Sequence, residues 1–121
     1  MIEKLGVKPG QKVVALGAFD APFLADLERA SGAQAGRRAS KDCDHVFLAL
    51  AAPADHKRLG TLLEAIRPAG GIWAVYPRGR RELSEDTVRA TAKSVGLTDI
   101  KVVRFSQTHG ALRLVIPKSA R

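Results

Sequence analysis

Three short apolar runs in this chain fail to alternate, and that restricts what it can fold into. Val13-Val14-Ala15-Leu16, Val46-Phe47-Leu48 and Ile72-Trp73-Ala74-Val75 carry apolar side chains at consecutive positions. Successive side chains of a strand point to opposite faces. Each run must therefore be covered on both sides, as strands inside a parallel sheet are. The cover has to come from helices, and helical patterns lie between the runs. At 121 residues, 45% hydrophobic and 26% charged, the chain has the size and composition of one domain spanning 1–121.

Ile2–Val7 reads as a short helix or turn closed by Lys8-Pro9-Gly10. A strand over about 12–17 follows. Asp20 suits a helix N-cap, with Pro22 in the first turn, Phe19 and Leu24 as a staple pair and Gly32 at the C-terminal stop. Residues 33–38 read as a short edge strand or as coil. The gap to the strand at 44–50 is too short for a crossover helix. Leu59, Leu62, Leu63 and Ile66 fall at i, i+3, i+4 and i+7 and predict a helix, ended by Pro68 and Gly70-Gly71. A strand over 72–76 and a loop over 77–81 follow. Ser84 caps a third helix, with Glu85 and Asp86 in its first turn, a staple of Leu83 and Val88, and a stripe of Val88, Ala92 and Val95 closed by Gly96. Residues 100–105 and 111–116 flank Ser106–Gly110 as a hairpin. The order β-α-(β)-β-α-β-α-β-β predicts a Rossmann-like α/β fold. Its sheet is mostly parallel with a C-terminal antiparallel β-hairpin, and helices lie on both faces.

Composition narrows the function classes. One cysteine, Cys43, forbids an internal disulfide and fits a reducing, cytoplasmic setting. No apolar run reaches the roughly 20 residues of a membrane helix, and Lys4, Lys8 and Lys12 interrupt any secretory leader. The net charge of +8 is uneven: residues 1–60 hold nine Lys/Arg against seven Asp/Glu, residues 61–121 eleven against five. Such a surface attracts nucleic acid, acidic protein or phosphate, or serves solubility alone.

Leu5-Gly6-Val7-Lys8-Pro9-Gly10-Gln11-Lys12-Val13, ahead of the first strand, and Ile66-Arg67-Pro68-Ala69-Gly70-Gly71, ahead of the third run, carry a resemblance. With the terminal hairpin, they make the chain resemble the class I S-adenosylmethionine-dependent methyltransferase fold. More closely, it is similar to a family of small bacterial proteins of uncharacterised function with a reduced methyltransferase-like fold. The resemblance covers nearly all of the chain and implies a cofactor crest at the C-terminal ends of the strands. Of the family's acid and Gly-x-Gly-x-Gly after the first strand, only Gly17 matches. Ala15 stands for the acid, and Phe19 and Ala21 for the later glycines. Arg37 and Arg38 stand where an acid would hold ribose hydroxyls, and Ala51-Ala52-Pro53-Ala54 keeps one proline of the amino-methyltransferase motif. The expectation is a degenerate cofactor motif and no bound S-adenosylmethionine.

In open α/β sheets ligands bind at the carboxyl ends of the strands. The candidate crest is Gly17, Ala18, Phe19, Asp20, Pro53 and Tyr76; Asp20 reads first as a helix cap and only second as a ligand contact. Arg37, Arg38, Arg78, Arg80 and Arg81 are candidate anion-binding residues, since guanidinium offers paired donors to phosphate. Trp73 reads as core, on the opposite face from Tyr76. Asp42-Cys43-Asp44-His45 lacks metal-ligand spacing, and no nucleophile–base set is present, so no catalytic or metal residue is assigned. His56 and His109 read as surface residues. The hairpin edge makes a homodimer an open alternative, with Lys101, Arg104 and Arg113 blunting it. The sequence leaves three readings: a non-catalytic methyltransferase-like interaction module, an anion or nucleic-acid binder using the 77–81 loop, and a divergent S-adenosylmethionine- or nucleotide-dependent enzyme.

Overall fold

The computed structural model describes residues 2–120. Its elements are β1 (Val13–Leu16), α1 (Ala21–Ser31), β2 (Cys43–Ala49), α2 (Arg58–Leu62), β3 (Ile66–Pro77), α3 (Glu85–Ser94), β4 (Thr98–Arg104) and β5 (His109–Val115). Short 3-10 turns cover Ile2–Leu5, Pro53–Lys57, Arg81–Leu83 and Lys118–Ala120. The sheet order is β1-β2-β3-β5-β4. The apolar runs are buried on both faces, as their lack of alternation requires. Val14, Leu16, Val46, Leu48, Ile72 and Ala74 form one core with α2 and α3. Val13, Ala15, Phe47, Trp73 and Val75 form the other with α1 and Leu5.

The placement of α1 follows from one residue. The connections β1 to β2 and β2 to β3 step the same way across the sheet, so two right-handed crossovers would leave both helices on one face. Instead Leu27 of α1 packs against the face of Phe47 and Trp73, while Leu59 and Leu62 of α2 pack against the other. Gly36 explains the difference. It bridges Val14 in parallel, with the Ala15 N–H donating to Gly36 O (2.8 Å) and the Gly36 N–H donating to Val13 O (2.9 Å). Helix α1 thus returns the chain to the outer edge of β1, and residues 37–42 carry it back to β2. The chain's direction across the sheet reverses between β1 and β2. That is the topological switch where ligands sit in doubly wound folds.

Some expectations hold and others need correction. The sheet is mixed: β1–β2 and β2–β3 pair in parallel and the C-terminal hairpin is antiparallel, as expected, with β5 antiparallel to both β3 and β4 and so the one strand of the five that runs against the others. The hairpin does not simply extend the sheet, because β5 inserts between β3 and β4, with Ala111, Leu112 and Leu114 fully buried. Arg113 therefore blunts no edge. Of the two readings of residues 33–38, coil holds, with the isolated bridge at Gly36.

The periodicity at 59–66 also misled. The helix ends at Leu62, and Ile66 already pairs with Cys43 as the first residue of β3. Leu59, Leu62 and Ile66 reach the same core, but as a helix and then a strand. The next pair in the ladder is His45 with Gly71, so residues 67–70 bulge out opposite Asp44 alone. Pro68 sits in the bulge, where its missing N–H costs no ladder bond. Arg67 Nη1 donates to Asp44 Oδ1 across it at 2.9 Å. Lys101 keeps its edge position on β4, with its Nζ donating to Lys4 O at 3.0 Å.

The helix ends agree with the sequence reading. Asp20 Oδ1 accepts the Phe23 N–H at 2.8 Å, and Gly32 closes α1 in the left-handed region at φ 86°. Ser84 Oγ accepts the Thr87 N–H at 3.3 Å, and Gly96 takes φ 89° after α3. Among the described residues no helix is long and apolar enough to cross a membrane.

The bulge yields a stability prediction. A Cβ on Gly70 would lie 2.6 Å from Cys43 O and 3.0 Å from Asp44 O, both backbone atoms. Gly70→Ala should cost about 1–3 kcal/mol, the usual scale of forced overpacking, read as a lower urea midpoint at unchanged slope. A midpoint equal to that of the parent would show that the bulge relaxes freely.

Candidate functional site

A cavity of about 810 Å3 opens at the crest of the sheet. The β1–α1 turn contributes Gly17 to Asp20, and the first turn of α1 adds Phe23. The end of β2 and the segment after it add Ala49, Leu50, Ala51, Asp55 and Arg58. Val75, Pro77 and Arg80 come from β3 and its loop, and Phe105, Ser106, Thr108 and His109 from the hairpin. Every contribution comes from the carboxyl end of a strand or the turn after it, save the opening of β5. The volume falls in the usual range for small-molecule sites.

One wall is aromatic. Phe19, Phe23 and Phe105 are half-buried and mutually packed, with centroids 5.3 Å (Phe19–Phe23), 6.2 Å (Phe19–Phe105) and 4.9 Å (Phe23–Phe105) apart. Phe47 lies beneath them, fully buried and edge-on to Phe23 at 5.4 Å. All four phenylalanines of the chain therefore gather here.

The polar groups of the crest are engaged with one another. Asp20 takes the Phe23 N–H at the start of α1. Asp55 Oδ2 accepts the N–H groups of Ala51 (2.8 Å) and Ala52 (3.0 Å), and the Ala51 bond in particular holds its carboxyl below the usual carboxylate range. Arg37 Nη2 donates to Gly17 O at 2.6 Å. Arg80 Nη1 donates to Ala51 O at 3.0 Å, while its Nε and Nη2 donate to Glu82 Oε1 at 3.1 and 2.8 Å. Gly17 has a local reason to be glycine: φ is 105°, and a Cβ there would lie 2.9 Å from that of Ala49.

Of the sequence-derived crest residues, Gly17, Ala18, Phe19 and Asp20 line the cavity; Pro53 and Tyr76 do not. Pro53 opens the following 3-10 turn. Tyr76 points into the α2–α3 core, where its hydroxyl donates to Glu85 Oε1 at 3.2 Å and burial with that carboxylate pushes its pKa up to about 12. Of the five arginines, Arg80 lines the cavity and Arg37 braces its rim; Arg38, Arg78 and Arg81 are exposed and outside the lining. Sequence reasoning missed Phe23, Asp55, Arg58 and Phe105. Phe23 and Phe105 both looked like ordinary apolar positions; Phe23 meets Phe19 locally across the start of α1, while only the tertiary fold brings Phe105 to the pair. A signal was available for Asp55, since Asp two residues after a helix-starting Pro suits a first-turn acceptor.

The histidines differ from their surface reading. His56 is buried, with Nδ1 3.4 Å from Thr91 Oγ1 and Nε2 lacking a partner among the described residues, and burial lowers its pKa. His109 is half-buried on the cavity wall. His45, at the opposite end of the sheet, is 3% exposed. Arg113 reaches it across Gly71, where a Cβ would meet the guanidinium at 2.6 Å, and lies over the Trp73 ring. Arg113 Nη1 donates to His45 Nδ1 at 2.9 Å, which leaves Nε2–H to donate to Gln11 Oε1 at 2.8 Å. Burial, and then the neighbouring Arg113 cation, push the His45 pKa down to about 4. Cys43 is buried, Asp44 faces Arg67, and no group of three metal-ligand side chains converges among the described residues.

No protein-family model matches the chain, and neither does any curated protein. Solved structures do resemble it over nearly its whole length. An S-adenosylmethionine-dependent O-methyltransferase of Thermotoga maritima superposes with a TM-score of 0.73 at 14% identity, covering 96% of this chain and 63% of that one. A methyltransferase of the same cofactor class from Aquifex aeolicus gives 0.65 at 13%, with 96% and 87% covered. The magnesium protoporphyrin IX methyltransferase of Synechocystis, solved with bound S-adenosylmethionine, gives 0.61 at 13%, with 96% and 74% covered. Likeness at this identity shows a methyltransferase-like Rossmann fold and nothing finer.

The histidine geometry fixes a pH dependence. The folded His45 binds its proton near pH 4 and the unfolded one near 6.5. Stability is full above 6.5, falls as pH drops towards 4, and levels off below, because only the unfolded chain takes up the proton in that window. Between pH 7 and 5 the difference in unfolding free energy between the parent and His45→Gln should narrow by about 2 kcal/mol, measured by urea unfolding. A constant difference would refute the assignment.

Proposed function

We propose that this chain is a non-catalytic, methyltransferase-like binding module whose crest does not hold S-adenosylmethionine. The observation that carries the reading is the internal satisfaction of the crest. A cofactor at this place needs free backbone donors, a close backbone approach after the first strand and a carboxylate for its ribose hydroxyls. Here Asp55 has taken the Ala51 and Ala52 N–H groups and Asp20 that of Phe23. Phe19 fills the place of a glycine and packs on Phe23 and Phe105. Arg37 occupies the outer edge, where an acid would be wanted. These residues do not fit the cofactor, and no transfer step is derived through it. The likeness to S-adenosylmethionine-dependent enzymes supports the scaffold, and the crest chemistry supports its use for another ligand.

The test is a thermal unfolding scan with and without S-adenosylhomocysteine. A ligand present at about 100 times its dissociation constant adds about 2.7 kcal/mol to the native state, which moves Tm by about 8 °C or more in a domain of this size. No shift is expected at millimolar ligand, for the parent or for Phe19→Gly. A clear shift in the parent would overturn the reading in favour of a divergent enzyme.

A further inference from the structure

We infer that the crest cavity is a site for a small amphiphilic organic anion, with an aromatic body and one carboxylate, sulfonate or phosphate group. This deepens the binding-module reading and rests on it. Phe19, Phe23 and Phe105 keep part of their surface open although Phe47 beneath them is buried. With Val75 and Pro77 they form a continuous apolar wall. Apolar surface gathered in a concave site on a small domain marks a place that a ligand covers. Because aromatic rings pair well edge-to-face or offset, partly open rings favour an aromatic guest.

The head group follows from which lining charges remain available. Asp20 and Asp55 already accept backbone N–H groups. Arg80 is held by Glu82 and Ala51 O. Arg58 is exposed, lines the cavity and forms no salt bridge among the described residues, although its charge is close enough to Asp55 to help hold that carboxylate ionised. Its guanidinium is the cation best placed to receive an anion, since it offers paired donors that a carboxylate or phosphate matches. Exposed Arg38, Arg78, Arg81 and Lys57 and the net charge of +8 add a field that concentrates anions near the crest.

The experiment uses two fluorescent probes on the intact protein: 1-anilinonaphthalene-8-sulfonate, which is anionic, and N-phenyl-1-naphthylamine, its neutral analogue. The expected result is saturable one-to-one binding of both, with unchanged circular dichroism. Arg58→Gln should weaken the sulfonate about tenfold, the scale of one charge-assisted hydrogen bond, and leave the neutral probe unchanged, while Arg58→Lys restores part of the loss. Phe105→Ala should weaken both probes, and Ala18→Trp, at an exposed lining position, should block both without disturbing the core. Non-saturable binding, or binding indifferent to Arg58→Gln and Ala18→Trp, would overturn the proposal. So would displacement of the sulfonate by poly(U) at low salt with none by benzoate or naphthoate. Displacement by S-adenosylhomocysteine would sink the cofactor-free reading while leaving the cavity as the binding site; the two failures are therefore distinguishable.

Discussion

Gly36 spends both its backbone groups on the outer edge of β1, and the side of the sheet that each helix covers follows from that bridge. Because α1 first returns the chain beyond β1, its right-handed crossover lies on the face opposite α2. The chain then has to reverse, and the two connections diverge above β1 and β2. A crest with space above it is the geometric result. Residues 37–42 make the reversal without a helix, tied down by Lys12 Nζ to Lys41 O and by Asp44 N–H to Lys12 O.

That space is lined by phenylalanines and by polar groups paired within the chain. Asp20 and Asp55 take the Phe23, Ala51 and Ala52 N–H groups, and Arg37 and Arg80 donate to Gly17 O and Ala51 O. Polar groups already paired offer a newcomer little net hydrogen-bond energy, because each new bond replaces an old one. Apolar surface is different, since burying it gains in proportion to area. A crest whose acids and Arg80 are already paired, and which is open along three phenylalanines and Arg58, would on the proposed reading select ligands by their apolar body first and their charge second.

The two ends of the sheet differ in character. At the far end, His45, Arg113, Gln11 and Trp73 form a buried polar unit in which each histidine nitrogen has a partner and Gly71 leaves room for the guanidinium. It holds the N-terminal turn, through the Trp73 Nε1–H bond to Leu5 O at 3.1 Å. This unit titrates with the fold and takes no part in the crest.

Local signals were legible wherever a residue's role depends on its near neighbours. Val13–Leu16, Val46–Leu48 and Ile72–Val75 announced two-faced burial, Asp20 and Ser84 announced helix starts, and Gly32 and Gly96 their ends. Where a neighbour comes from afar, the same signals misled. Leu59 to Ile66 keeps helical spacing yet crosses into a strand, because Cys43 pairs with Ile66 and ladder bonds outweigh a short helix's weak propensity. Likewise β5 takes the centre over the edge because its apolar residues need cover on both sides. The sequence by itself determined the layered α/β class, since unbroken apolar runs admit few other arrangements. Only the tertiary structure decided the site: Phe19 and Phe23 at the start of α1, Arg58 at the start of α2 and Phe105 after β4 belong to three separate segments, which only the packed sheet brings together.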